Sequence, residues 1–173
     1  MDGWVVAETV IIRRATPRDV DGVAALWEKL VAYHHALDSD LPAATARGAI
    51  YYGRRIIDRI DDPSACVLVA VDGQEIVGYA LGFVVDLVPE MFDQEPSGFL
   101  ADIYVETAHR RRGIGRMLVE RMIAWFAEYD LTYWEWHVAA LNEDAIAFWK
   151  ALGGREVMLR MRAPVNGGSG GRS

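Results

Sequence analysis

The run His109-Arg110-Arg111-Arg112-Gly113-Ile114-Gly115-Arg116 constrains this chain more than any other stretch. A β-rich segment, residues 99 to 106, precedes it, and an amphipathic pattern extends from it to Tyr129, so it reads as a strand-to-helix turn. Such a turn suits an anion. The first N–H groups of a helix have no intrahelical partner, and the helix dipole adds partial positive charge. Glycine lets a phosphate approach the backbone, and arginine adds full charges and planar donors. A pyrophosphate would be well held. No lysine followed by Ser or Thr closes the run as in a Walker loop, and the third glycine of a dinucleotide fingerprint is missing. The competing reading is a solvated arginine cluster with glycines that serve only the turn.

The rest of the chain sets the frame. Its 173 residues suit one domain with a sizeable core, and 52% hydrophobic against 25% charged residues excludes a disordered, collagen-like or coiled-coil chain. A net charge of −7 argues against a general nucleic-acid binder. No apolar run approaches the roughly 20 residues of a membrane span, and the first ten residues lack a basic leader, so a cytoplasmic protein without membrane contact is expected. The lone Cys66 excludes an intramolecular disulfide, and its apolar neighbours predict a buried structural thiol. None of the four histidines has a carboxylate or cysteine at a ligand-like spacing, so no metal is expected.

Residues 10 to 16 read as a strand, and Thr16-Pro17 opens a helix over about 17 to 36 whose face is Val20, Val23, Ala24, Trp27, Leu30, Val31 and His34. A less regular helix spans 43 to 60. Residues 66 to 71 and 75 to 85 form a hairpin about Asp72-Gly73. The connection from Asp86 to Ser97 carries Asp86, Glu90, Asp93 and Glu95, an acidic loop expected to attract cationic amines and repel carboxylates if it reaches the acceptor side. Strand 99 to 106, helix 113 to 129, strand 132 to 138, helix 142 to 152 and strand 155 to 162 follow. The pattern predicts one α/β (α+β) domain over 1 to 165, with helices on both faces of a mixed, mostly antiparallel sheet. A Gly/Ser-rich tail spans 166 to 173.

Val105-x4-Arg110-x2-Gly113-x-Gly115 before an amphipathic helix resembles the acyl-CoA-binding motif of the GNAT N-acetyltransferase superfamily, [Q/R]-x-x-G-x-[G/A]. Downstream, Val138 through Asn142, Ala145, Phe148, Trp149 and Gly153 is similar to that family's V-x-x-x-N-x-x-A-x-x-[F/L]-[Y/W]-x-x-x-G segment. The two motifs stand in the family's order, and the local pattern around Asp102 is nearest to the spermidine/spermine branch. The resemblance implies a GNAT fold over about residues 10 to 162 and acetyl-CoA as co-substrate. Ile103, Tyr104 and Val105 would offer backbone groups to the pantetheine arm. Arg110, Arg111, Arg112, Gly113, Ile114, Gly115 and Arg116 would surround the pyrophosphate. Asn142 would contact the cofactor, or cap a helix, and Trp149 would lie near the coenzyme sulfur.

The resemblance breaks at two places. Trp149 stands where many members carry a tyrosine that protonates the leaving thiolate, and an indole N–H is no acid. Ala101 stands where polyamine acetyltransferases carry a glutamate before the aspartate matched by Asp102. For catalysis Asp102 or Tyr104, acting through water, is the choice. Both share a strand face with Glu106, as Tyr133, Glu135 and His137 do on the next strand. Tyr33, His35 and Asp38, and the neighbouring His34, are candidates for the acceptor wall, which the first two helices build in this family. The expected activity is transfer of an acetyl group to a primary amine, small and cationic, by direct attack without a covalent enzyme intermediate, with a homodimer as the expected assembly. The alternatives are an acyl-CoA sensor without turnover and an acetyltransferase of protein or peptide amines.

Overall fold

The computed structural model describes residues 10–86, 91 and 95–165. The chain divides into two compact units, residues 1–141 and 142–173. In the first, β1 (Ile11–Arg14) leads through a short 3-10 turn, Pro17–Asp19, into α1 (Val20–Leu37), then α2 (Gly48–Ile60). The chain continues through β2 (Ala65–Asp72), β3 (Glu75–Val85), β4 (Ser97–Val105), α3 (Ile114–Ala127) and β5 (Trp134–Trp136). The second unit holds α4 (Glu143–Ala151).

The entry to α1 is fixed by Asp19, 6% exposed. Its carboxylate accepts the Thr16 N–H at 2.7 Å and the Thr16 hydroxyl at 2.9 Å, and a forked pair from Arg13 at 2.7 and 2.8 Å. Those donors, Arg13 first, hold its pKa far below the ordinary carboxylate value. The periodic face of the helix then buries Val20, Val23, Ala24, Leu26 and Leu30.

The strands run in sheet order β1-β2-β3-β4-β5, antiparallel except for the parallel pair β4/β5. The Asp72-Gly73 hairpin forms as expected, with Gly73 at φ 62°. One face packs on α1 and α2, where Tyr79, Leu81 and Tyr104 join Val23, Leu30 and Ile56. The other face takes α3. A Cβ at Gly82 would come 2.5 Å from Met122 Sδ, and one at Gly98 2.8 Å from the Phe126 ring, so those two glycines seat the helix against the sheet. Leu118, Val119, Met122 and Phe126 are buried there, each contributing about 1.5–3 kcal/mol.

Two irregularities of β4 matter for the site. Leu81 stands opposite Asp102 but Gly82 opposite Leu100, so Ala101 is an extra residue that bulges the strand. The bulge turns Leu100 toward α3 and Asp102 toward α1 and α2. The parallel ladder with β5 covers only Gly98 to Leu100. Beyond it the outer edge of β4 is unpaired among the described residues.

Two strand expectations are corrected. β5 spans three residues rather than 132 to 138, because its ladder ends where it parts from β4. Residues 155 to 162, whose alternation reads as a strand, form no strand ladder among the described residues, and Val157, Met158 and Leu159 are 68, 89 and 77% exposed. Alternation supplies the two faces of a strand but not the hydrogen-bonding partner that makes it one.

Candidate active site

β4 continues directly into the basic turn. A 3-10 turn, Thr107–His109, leads to Arg110 in extended geometry, Arg111 at φ 60° and Gly113 at φ 82°, and α3 begins at Ile114. Left-handed residues on either side of Arg112, just before a helix, turn backbone N–H groups into a concave nest suited to an anion. A Cβ built on Gly113 meets nothing within 4 Å, so the space over the turn is open. The arginines divide their work. Arg112 donates to Asp72 at 2.9 Å, tying the turn to the β2/β3 hairpin, and His109 Nε2 lies 3.6 Å from the same carboxylate. Arg110 lies over the rings of Tyr33 and Tyr104, at 5.0 and 5.4 Å, while its Nε donates to the Val105 carbonyl at 3.0 Å. Arg111 and Arg116 are exposed and carry no ion pair among the described residues. The turn fits a coenzyme diphosphate: its backbone geometry, its open cradle and two uncommitted guanidinium groups are the features such a group requires.

Upstream on β4, Asp102 and Tyr104 face α1 and α2. The Asp102 carboxylate accepts a 2.8 Å hydrogen bond from the Tyr52 hydroxyl of α2. Burial pushes the Asp102 pKa up, against the opposing pull of Tyr52, His34 and Arg55. Burial and the nearby Asp102 carboxylate push the Tyr52 phenol up as well. Tyr79, fully buried, places its hydroxyl near that of Tyr52 but outside hydrogen-bond geometry. Glu106 pairs with Lys29 of α1 at 2.5 Å. Just past β5, His137 packs edge-on against Phe99, ring centroids 5.3 Å apart.

A cavity of about 420 Å³ lies between α1, α2 and the segment joining them, walled by Trp27, Val31, His34, Pro42, Tyr51 and Arg55 among others. Trp27 stacks on Tyr52 at 4.7 Å. Burial holds the His34 pKa below its ordinary value, against Asp102, so the ring is neutral at neutral pH and able to take a proton. Of the residues expected on the acceptor wall, Tyr33 lies under Arg110, His35 Nδ1 is 2.8 Å from the Leu41 carbonyl, and Asp38 accepts the Asp40 N–H. None of the three lines the cavity. His34 does, and its place in the Trp27, Val31, His34 stripe is the sequence signal for it. Tyr52 and Arg55 carry no such signal.

In the second unit Asn142 caps α4, its side chain accepting the Ala145 N–H at 3.1 Å, and Trp149 is 6% exposed. No group of three or more His, Cys, Asp or Glu able to hold a metal occurs among the described residues. No helix among them is long and apolar enough to cross a membrane.

The acetyltransferase (GNAT) family model matches residues 25–153, and the chain belongs to that family, as one GNAT-like α/β domain. A relative, L-2,4-diaminobutyric acid acetyltransferase of Shouchella clausii, is 28% identical over 148 residues, 86% of this chain and 72% of the relative. A single-site mutant of the BH1408 protein from Bacillus halodurans superposes with a TM-score of 0.80 at 27% identity, over 90% of this chain and 99% of that one. The aminoglycoside N-acetyltransferase AAC(6')-Iy, solved in complex with CoA, shares the fold at a TM-score of 0.70 and 18% identity, over 91% and 95% of the two chains.

Proposed function

We propose that the protein transfers an acetyl group from acetyl-CoA to the primary amine of a small molecule by direct attack. The observation that carries this reading is continuity along one strand. Asp102 and Tyr104 sit on the stretch of β4 whose outer edge is unpaired, and that stretch runs straight into the anion-binding turn at Arg111 and Gly113. A diaminobutyrate acetyltransferase as relative supports a small-molecule acceptor.

In this reading the turn holds the coenzyme's diphosphate through backbone N–H groups, with Arg111 and Arg116 adding charge. The unpaired edge at Ile103 to Val105 positions the pantetheine arm. Acetyl-CoA supplies the thioester: the amine nitrogen bonds to its carbonyl carbon, the C–S bond breaks, and the sulfur leaves as thiolate. Asp102, directly or through water, takes the proton the ammonium must lose. Its raised pKa makes it a better base than a solvated carboxylate, and Tyr104 beside it orients the water. Cys66 takes no part, being fully buried with its thiol pushed up by burial. Trp149 offers no acidic proton, so the thiolate is protonated by water, which a thiol pKa near about 8.5 permits.

Thiol release from acetyl-CoA with a panel of small amines tests the reading. Turnover with at least one of them, first order in enzyme, is expected. CoA binding without turnover of any amine would make the chain a sensor, and acetylation confined to peptides would move it to protein substrates. The expectation of a cationic acceptor rests on Asp86, Glu90, Asp93 and Glu95; Glu90 and Asp93 lie outside the described residues, and Glu95 accepts the Thr132 hydroxyl at 3.1 Å.

A further inference from the structure

Resting on the reading above, we propose that the acceptor carries a carboxylate as well as its amine, and that Arg55 binds this carboxylate in the cavity between α1 and α2. The walls contain aromatic, aliphatic and small residues, the neutral His34 and one residue of full charge, Arg55; no acidic side chain lines them. Arg55 is exposed and makes no hydrogen bond or ion pair among the described residues. The other arginines of this region are committed elsewhere. Arg47 and Arg54 lie against the ring of Tyr51, at 5.4 and 5.8 Å, and Arg59 donates to Asp62 at 2.6 Å. Gly48, the first residue of α2, lines the same cavity, so the helix dipole adds positive potential there.

A cavity whose one full charge is a guanidinium suits an organic anion of one charge. A planar carboxylate matches the guanidinium fork in two parallel hydrogen bonds, whereas a phosphate would call for more positive charge than this wall offers. Asp102 is the opposite charge, standing behind the wall residue Tyr52, whose hydroxyl donates to it at 2.8 Å. An acceptor with its carboxylate on Arg55 would point its amine toward Asp102. A diamino acid therefore fits, and a plain diamine would leave Arg55 unmatched. A volume of about 420 Å³ is at the small end of ligand pockets, in keeping with a molecule of amino-acid size.

The test compares 2,4-diaminobutyrate with its methyl ester and with 1,3-diaminopropane, in the parent and in Arg55→Ala and Arg55→Lys. The parent should favour the free acid by at least about tenfold in kcat/KM, the scale of one charged hydrogen-bonded contact. Arg55→Ala should erase that preference by raising KM for the acid, leaving the ester and diamine within about twofold, and Arg55→Lys should keep part of it. Equal losses for all three acceptors, or a parent that prefers the diamine, would overturn the proposal. If no amine is turned over, the acetyl-transfer reading fails separately. Calorimetry of 2,4-diaminobutyrate with parent and Arg55→Ala then decides the carboxylate site, which is overturned if the two bind it alike.

Discussion

Tyr52 of α2 donates a 2.8 Å hydrogen bond to Asp102 of β4, fifty positions along the chain, and so attaches the acceptor wall to the strand that carries the proposed base. Burial raises the Asp102 pKa, and the Tyr52 bond opposes that rise. Tyr52→Phe removes the opposition, so the acid limb of kcat/KM should move to higher pH. A hydrogen bond to a charged group contributes about 1.5–3 kcal/mol, and a pKa unit corresponds to about 1.4 kcal/mol; a shift of about one unit is expected, and a pH profile checks it.

Asp102→Asn should separate activity from stability. Turnover should fall by about 10² to 10⁴, the range for loss of an acid–base group. Because the folded pKa lies above the unfolded one, the carboxyl stabilises the fold at low pH and loses that contribution as pH rises through the folded value. The neutral variant should melt at or above the parent temperature at pH 7.5, with the gap narrowing as pH falls toward the ordinary carboxylate range. Melting curves at a series of pH values give the result.

Gly113 is left-handed with open space above it. Gly113→Val places a branched side chain in that space and adds about 1–2 kcal/mol of backbone strain. CoA affinity measured by calorimetry should fall at least tenfold. The variant should remain folded, melting a few degrees lower.

Arg110 and Arg111 should behave as opposites despite adjacency. Arg110→Ala removes two ring contacts and the bond to the Val105 carbonyl, each about 0.5–1.5 kcal/mol, and should lower the melting temperature without any ligand present. Arg111→Ala should leave the melting temperature unchanged and weaken CoA binding, with a smaller dependence on salt.

At the entry to α1, Asp19→Asn should destabilise the fold by about 2 kcal/mol at pH 7, a figure kept low because Arg13 is partly solvent-exposed. The folded pKa of Asp19 is depressed, so its contribution is present above the ordinary carboxylate pKa and is lost as pH falls through the folded value. Denaturant melts should show the difference between parent and variant shrinking below about pH 4.

The elements that announce themselves in sequence are those whose signals are local. The Asp72-Gly73 hairpin, the periodic face of α1 and the glycine turn after β4 all lie within a few consecutive residues, and the structure places each where the pattern puts it. The acceptor cavity is assembled from α1, α2 and their connection, and nothing in the spacing of Trp27, Tyr52 and Arg55 reports that they share a wall. For the same reason the arginine cluster looks uniform in sequence. Only the fold shows that Asp72, Tyr33 and Tyr104 take up Arg112 and Arg110.

The extra residue at Ala101 makes this strand tolerant of genetic change at one position and intolerant of it two positions on. Substituting Ala101 alters a side chain that is exposed. Deleting it would leave Leu100 opposite Gly82 and Asp102 opposite Leu81 in strict alternation, so the bend is lost but Asp102 and Tyr104 keep their face. Deleting Ile103 has another result: because side chains alternate with a period of two, Tyr104 would turn to the α3 side. Among descendants of this chain, single-codon loss at Ala101 should therefore be borne more readily than the same loss at Ile103, and point changes at Ala101 drift freely.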